Sequence, residues 1–451
     1  MTSSENTVNI AVVLPLTGTF EANGVRHRKA TQLAVSHLES TGDLIPGRKI
    51  RLVPIDAGDK VLTTQRNVEA SLKDFALADG RVEIAGMVSS SAQEGALPLA
   101  IQNRVPHFEV AFGSDHFEFI NDMLSAPDLS YAFSSRALCA PEAIMAADFI
   151  AKRWTSVCLL RGPQVHDRVH TILIRKRLNE LAQSGAWTGT VANPADIEMT
   201  EDGPYEPYLR QCMGLSPRPG IVFWHLRGDS RNVEFMRAAQ RVSTEPAPFD
   251  GQLVTCGMAR KDNVLDPTNP GVVRYLDRRF WFVMRAPLKS DSLTRFKADF
   301  EAFAGEKADT FTVSAYDAAM AIGLAVAAAG SSDGPRVRDA LRQVTSGGTK
   351  FGYGQHAEAL AAIRAGQDID WDGGGSSLEF DKDGNVEGRF YVEEVQFDPA
   401  ANEGKGWGKY VELSDPAPQV LSGGWDSWSG GLKLSGASLL ERMPCPCSNG
   451  E

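Results

Sequence analysis

Val8-Asn-Ile-Ala-Val-Val-Leu14, followed at once by Pro15-Leu-Thr-Gly18, is the stretch on which the reading of this chain turns. Seven residues rich in β-branched apolar side chains, stopped by Pro and Gly, read as a short strand covered on both faces. Such strands occur in parallel sheets, where crossover helices shield each face. The sequence downstream agrees. Residues 22–40 carry apolar side chains near helical spacing and end at Gly42 and Pro46-Gly47. Residues 49–55 (KIRLVPI) read as a second strand and 63–78 as a second helix. Residues 82–88, 92–103 and 107–112 read as strand, helix and strand. This β-α-β-α-β-α-β order predicts a doubly wound α/β sheet with right-handed crossovers.

The alternation then restarts. Residues 141–153 and 171–184 read as helices around the strand Ser156-Val-Cys-Leu-Leu160. Gly220-Ile-Val-Phe-Trp224, residues 252–255 and residues 279–284 read as strands, with a helix over 232–242. Residues 292–304 and 312–329 read as long helices. Residues 377–380 and 389–395 flank Asp381-Lys-Asp-Gly-Asn385, a Gly/Asp-rich hairpin signal. Beyond Pro416 the chain is rich in Gly, Ser and Trp and reads as a loosely held tail.

Composition narrows the function. A chain of 451 residues suggests two to four domains or lobes. Lys plus Arg number 46 against 57 Asp plus Glu, a formal net charge of −11. That balance argues against nucleic acid, whose binders present a basic face, and against anionic lipid. The Ala-rich tract around 315–330 is interrupted by Asp317 and is shorter than the roughly 20 residues of a membrane span, so no direct membrane insertion is expected. Met1-Thr-Ser-Ser-Glu5 has neither the basic region nor the apolar region of a secretory signal. Cys139, Cys158, Cys212 and Cys256 stand far apart in apolar contexts and read as single buried thiols. Cys445-Pro-Cys447 lies in the polar tail without a second Cys/His pair.

In open α/β sheets the ligand site lies beyond the carboxyl ends of the strands. The loop Pro15–Gly24 there is neither a dinucleotide fingerprint nor a P-loop, and no cofactor is implied. Gly86-Met-Val-Ser89-Ser90-Ser91 places three hydroxyls at a strand-to-helix junction. One of them suits an N-cap; the same position suits capture of a carboxylate at a positive helix end. His166-Asp-Arg-Val-His170 has the i, i+4 spacing of shared metal ligands. It lacks the Glu of a zinc hydrolase and a third ligand, so it reads as a solvated helix start. Residues 381–385 resemble a calcium loop, but Gly384 falls at position 4 rather than 6, and a turn is the reading. No G-x-S-x-G elbow is present.

Five segments in register resemble the type I periplasmic binding proteins of the leucine/isoleucine/valine-binding group, which serve ABC transporters. They are Ile10–Gly18, Gly86–Ser91, Val105–Ser114, Ser314–Ala325 (with its Ala-Tyr-Asp-Ala) and Phe380–Gly388. The similarity runs from about residue 8 to 413. The resemblance implies an α/β architecture of two doubly wound parallel-sheet lobes joined by three crossover strands. The lobes fall at 1–137 plus 287–347 and at 138–286 plus 348–415, with a tail over 416–451. It implies a protein that binds by hinge closure, does not catalyse, holds no cofactor or metal, partners a membrane ABC permease and works in the periplasm or outside the cell.

By the same resemblance the ligand carboxylate falls to Ser90, with Ser89 and Ser91 beside it, and to Gly113, with Ser114 beside it. The acceptor for a ligand ammonium falls at Ala111, next to Phe112, and the first-loop aromatic position is Asn23. On the second lobe the corresponding positions are His166, Arg227 and Met258. Gly113 stands where the family has Thr, and the family's acidic partner for the ammonium falls near Gly257 or Met258. A buried ammonium without its carboxylate costs several kcal/mol. The substitutions therefore argue against a plain branched-chain amino acid and, with Arg227 and His166, for an aromatic acid or a second acidic group. Two other functions compete: a sensing domain of the same fold, and an α/β hydrolase-like enzyme with Ser90 as nucleophile, for which the sequence shows no general base.

Overall fold

The computed structural model describes residues 6–18, 20–58, 60–90, 93–110, 129–137, 140–163, 165–226, 228–246, 248–256, 270–286, 290–309, 311–375, 378–381, 384–400, 407–417 and 419–421. The opening run forms β1 (Thr7–Leu14). It pairs in parallel with β2 (Lys49–Asp56) on one side and β3 (Gly86–Ser89) on the other. β4 (His107–Glu109) and β5 (Ala132–Ser134) complete a five-stranded sheet of order β2-β1-β3-β4-β5, parallel throughout.

β1 shows why its sequence is apolar without alternation. Val8 and Ile10 face one core with Ala30, Leu33 and Leu38 of α1 (Glu21–Glu39). Ala11 and Val13 face the other, with Val68 and Leu72 of α2 (Val61–Asp74) and with Ala96 and Ala100 of α3 (Gln93–Gln102). Successive side chains point to opposite faces, and both faces are dry.

The second sheet has nine strands: β6 (Ser156–Arg161), β7 (Thr190–Val191), β8 (Ile197–Glu198), β9 (Ile221–His225), β10 (Gln252–Cys256), β11 (Phe280–Ala286), β14 (Gly388–Asp398), β15 (Trp407–Glu412) and β16 (Gln419–Leu421). β6 to β11 run parallel, and β14 lies antiparallel to β11. Helices α4 (Ala140–Arg153), α5 (Val165–Gln183), α6 (Glu206–Met213), α7 (Asp229–Val242) and α8 (Pro270–Leu276) accompany this sheet. Cys158 of β6 and Cys212 of α6 form a disulfide, correcting the expectation of separate thiols; Cys256 is buried outside any disulfide. Cys139, Cys445 and Cys447 lie outside the described residues.

The chain then returns to the first sheet. Helices α9 (Asp291–Ala304), α10 (Thr312–Ala329), α11 (Gly334–Val344) and α12 (His356–Arg364) contribute to the core that covers β1, as does the strand pair β12 (Thr349–Phe351) and β13 (Ile369–Trp371). α10 is the apolar tract of the sequence, 83% buried inside the protein. Leu360, Ile369, Trp371 and Val386 belong to this first core. Residues 348–386, expected in the second lobe, therefore pack on the first. The tract pairs its own two strands, β12 and β13, and is fastened to α10, where Asp317 accepts the N–H groups of Gly374 (2.6 Å) and Gly375 (3.1 Å). The expected hairpin at 381–385 is also corrected. Residues 378–381 form no strand, and the turn docks on β5, where Ser134 N–H donates to the Gly384 carbonyl (2.9 Å).

Three passages thus link the sheets: after β5, after β11 and before β14. They are tied together. Arg136 donates to the Arg285 carbonyl (3.0 Å) and Arg285 donates to the Ala137 carbonyl (2.9 Å). A Cβ at Gly388 would stand 2.3 Å from that of Ala137, so only Gly allows this approach.

Candidate functional site

The carboxyl ends of β1, β3 and β4 bring the expected Ser89 and Ser90 together, and period-two alternation sends their side chains to opposite faces. Ser89 turns inward. Its hydroxyl donates to Glu109 Oε2 (2.7 Å) and accepts from His107 Nε2 (2.8 Å). Burial pushes the His107 imidazole down to about 3, so the ring is neutral and its Nε2–H is the donor. Ser89 is therefore engaged within the sheet.

Ser90 turns the other way, and its Oγ lies 2.9 Å from Nδ1 of His27 on α1. The far side of that ring, Nε2, faces Asp309 Oδ1 at 3.7 Å. Asp309 caps α10, accepting the N–H groups of Phe311 and Thr312 (both 2.8 Å) and the Thr312 hydroxyl (2.7 Å), and it also takes Arg26 Nη1 (2.8 Å). Burial would raise the Asp309 carboxyl. The His27 imidazole, Thr312 and Arg26 outweigh it and hold the group well below the usual carboxylate range. Ser90 thus has the imidazole that the sequence did not reveal. At 3.7 Å the ring is beyond hydrogen-bond reach of Asp309, and Ser90 and His27 are each 1% exposed. That is a buried hydrogen-bonded chain.

Asn23 lies half-buried on α1, one turn before His27. Ser91, Ala111, Phe112, Gly113, Ser114, Arg227 and Met258 lie outside the described residues, as does the side chain of His166. Its neighbours on α5 correct the solvated reading: Asp167 is 0% and His170 1% exposed. Asp167 accepts from His225 Nδ1 (2.7 Å), at the end of β9. His170 faces Glu142 of α4 (3.7 Å) and Cys256 at the end of β10. Burial lowers the His225 imidazole, and the charge of His170 lowers it further. His170 goes the other way: burial opposes its charge, but Cys256 and Glu142 raise it well above the ordinary value.

His170, His225 and Cys256 bring three ligand atoms within 4.8 Å of one another. The two rings are stacked, with centroids 4.1 Å apart and planes 16° apart. An imidazole binds metal along its in-plane lone pair, and stacked rings aim those lone pairs side by side instead of at one point. The arrangement fits a proton-sharing polar cluster better than a tetrahedral metal site. Its signal in sequence is slight: a polar residue closes each of two apolar strands, His225 after Ile-Val-Phe-Trp and Cys256 after Leu-Val-Thr.

Comparison with known proteins follows the same lines. Residues 7–162 match the family model described as periplasmic binding protein. No curated protein matches the chain in sequence. Among solved structures, a leucine-binding protein, LivK, from Thermotoga maritima superposes with a TM-score of 0.63 at 16% identity, covering 92% of this chain and 99% of its own. An ABC-transporter solute-binding protein from Rhodopseudomonas palustris, in complex with 3,4-dihydroxybenzoic acid, gives 0.61 at 17% identity, covering 90% and 96%. LivJ from Streptococcus pneumoniae, in complex with isoleucine, gives 0.58 at 15% identity, covering 90% and 100%. With two parallel-sheet units joined by three crossings, and whole-length superposition on these structures, the chain has the type I periplasmic-binding-protein fold.

Proposed function

We propose that this protein is an extracytoplasmic solute-binding protein that captures a small carboxylate-bearing molecule between its lobes for uptake by an ABC permease. The observation that carries this reading is Ser90. It stands at the carboxyl end of β3, at the edge where open α/β sheets bind ligands, with its hydroxyl held by His27. The solved neighbours include one bound to an amino acid and several bound to benzoate-type acids. The described carboxylates at the edge of the second sheet, Asp167 and Glu142, face His225 and His170. They are already engaged and serve a ligand ammonium poorly, so an aromatic acid is favoured over a branched-chain amino acid. The Cys158–Cys212 disulfide supports an oxidising compartment.

A thermal-shift panel of benzoate, 4-hydroxybenzoate, 3,4-dihydroxybenzoate, leucine and isoleucine tests this. A ligand at about 100 times its Kd stabilises the fold by roughly 2.7 kcal/mol. A shift from the aromatic acids, weakened tenfold or more by Ser90→Ala, is expected. Silence across the panel, repeated after unfolding and refolding to strip bound ligand, would sink the proposal.

A further inference from the structure

We propose that His27 sets the hydrogen-bonding direction of Ser90, so that this protein takes up one proton at His27 when it binds a ligand carboxylate. The inference rests on the reading of Ser90 as a carboxylate contact and adds what controls that contact.

A serine hydroxyl has one proton to give. His27 Nε2 faces the anionic Asp309 at 3.7 Å, so a neutral ring keeps its proton on Nε2. Nδ1, 2.9 Å from Ser90 Oγ, is then an acceptor. Ser90 must donate to it, and only oxygen lone pairs remain for a ligand. Lone pairs repel a carboxylate. Protonation of Nδ1 reverses the chain: Nδ1–H donates to Oγ, and the Ser90 proton turns to the ligand. The entering anion and the new imidazolium stabilise each other across Ser90, while Asp309 already faces the ring.

The surroundings hold this chain in place. Arg26 bridges Asp309 (2.8 Å) and Glu306 (2.9 Å), and Lys29 holds Glu306 (2.7 Å), so Asp309 has its own cation and stays ionised. Phe311 abuts His27 edge-on at 6.0 Å and carries the Arg136 guanidinium on its face at 4.2 Å. Glu109 and the neutral His107 are engaged with Ser89, on the opposite face of the sheet from Ser90. Among the described residues the ring therefore faces one anion, Asp309, and its proton exchange with ligand binding is local to Ser90.

The test is calorimetry of the full chain with the aromatic acid found by the panel, in phosphate and in Tris, from about pH 5 to 9. Where His27 is neutral in the unliganded protein, the difference in heat between buffers should report uptake of up to one proton per ligand. Affinity should rise by up to about tenfold for each unit the pH falls. His27→Gln should weaken binding, and the binding that remains should show neither effect. Ser90→Ala should weaken binding and lose the uptake, with folding checked by melting. No proton uptake by the wild type at any pH, or uptake that persists in His27→Gln, would overturn the inference. If no acid binds, the proposed function fails, and nitrogen NMR of the imidazoles decides this inference separately. A neutral His27 with its proton on Nε2, and an Nδ1 signal that moves in Ser90→Ala, is expected; a proton on Nδ1 of the neutral ring overturns it.

Discussion

Asp167 Oδ1 accepts from His225 Nδ1 at 2.7 Å in a fully buried site, and the geometry leaves little room for alternatives. A Cβ at Gly162 would fall 2.3 Å from Asp167 Oδ2, so carboxylate and glycine belong together. Asp167→Ala should cost about 2–3 kcal/mol in urea unfolding, because it leaves a buried imidazole N–H facing no oxygen. Asp167→Asn, which keeps an acceptor, should cost less. Equal losses from both would mean that packing, not the hydrogen bond, matters here. Gly384 is a second position of this kind. Its φ is +80°, and an added Cβ would meet the Ala132 carbonyl oxygen at 2.0 Å. Gly384→Ala should destabilise by about 1–3 kcal/mol, since strain and overlap act at the same backbone atoms. Unchanged melting would show that the crossing yields. The glycine itself was legible as a turn residue. What it turns against was not, because Ala132 lies some 250 residues earlier in the chain.

Between elements, the Cys158–Cys212 bond joins β6 to α6 across 54 residues. Replacing both cysteines by alanine should lower stability by about 2–4 kcal/mol, as expected of a loop this long. A melting temperature equal to that of the wild type would refute this. A different contact joins α1 to α12: the His37 and His356 rings stack with centroids 4.6 Å apart and planes 1° apart. Burial lowers both imidazoles, and the charge of His356 lowers His37 further. Unfolded histidines titrate near 6.5. Stability held above that pH is therefore lost as the pH falls through it towards the depressed folded values, because the unfolded chain takes up protons first. His356→Phe keeps a stacked ring without the charge. Its melting temperature should fall less than that of the wild type between about pH 7 and 5. Parallel curves would show that the pair does not contribute.

At the scale of the whole molecule, Arg136 and Arg285 tie the passage after β5 to the passage after β11. Saturating ligand should close the lobes and reduce the radius of gyration in solution scattering. A radius unchanged on binding would point to a cleft that is closed beforehand. The α/β class and the order of the main elements were legible in the sequence alone. A strand such as Val8–Leu14, covered on both faces, must be apolar throughout, and that pattern is local. The place of Ser90 at a strand end was legible for a related reason: the apolar run of its strand stops there. Tertiary structure decided the rest. Residues 348–386 turn to the first core because Leu360, Ile369, Trp371 and Val386 bury their side chains there, with Asp317 accepting the N–H groups of Gly374 and Gly375. His27 reaches Ser90, and His170 meets His225, only because helices from distant parts of the chain pack against the same strand ends. Hydrophobic periodicity reports which face of an element is buried, and it carries no information on which polar groups from elsewhere share that burial.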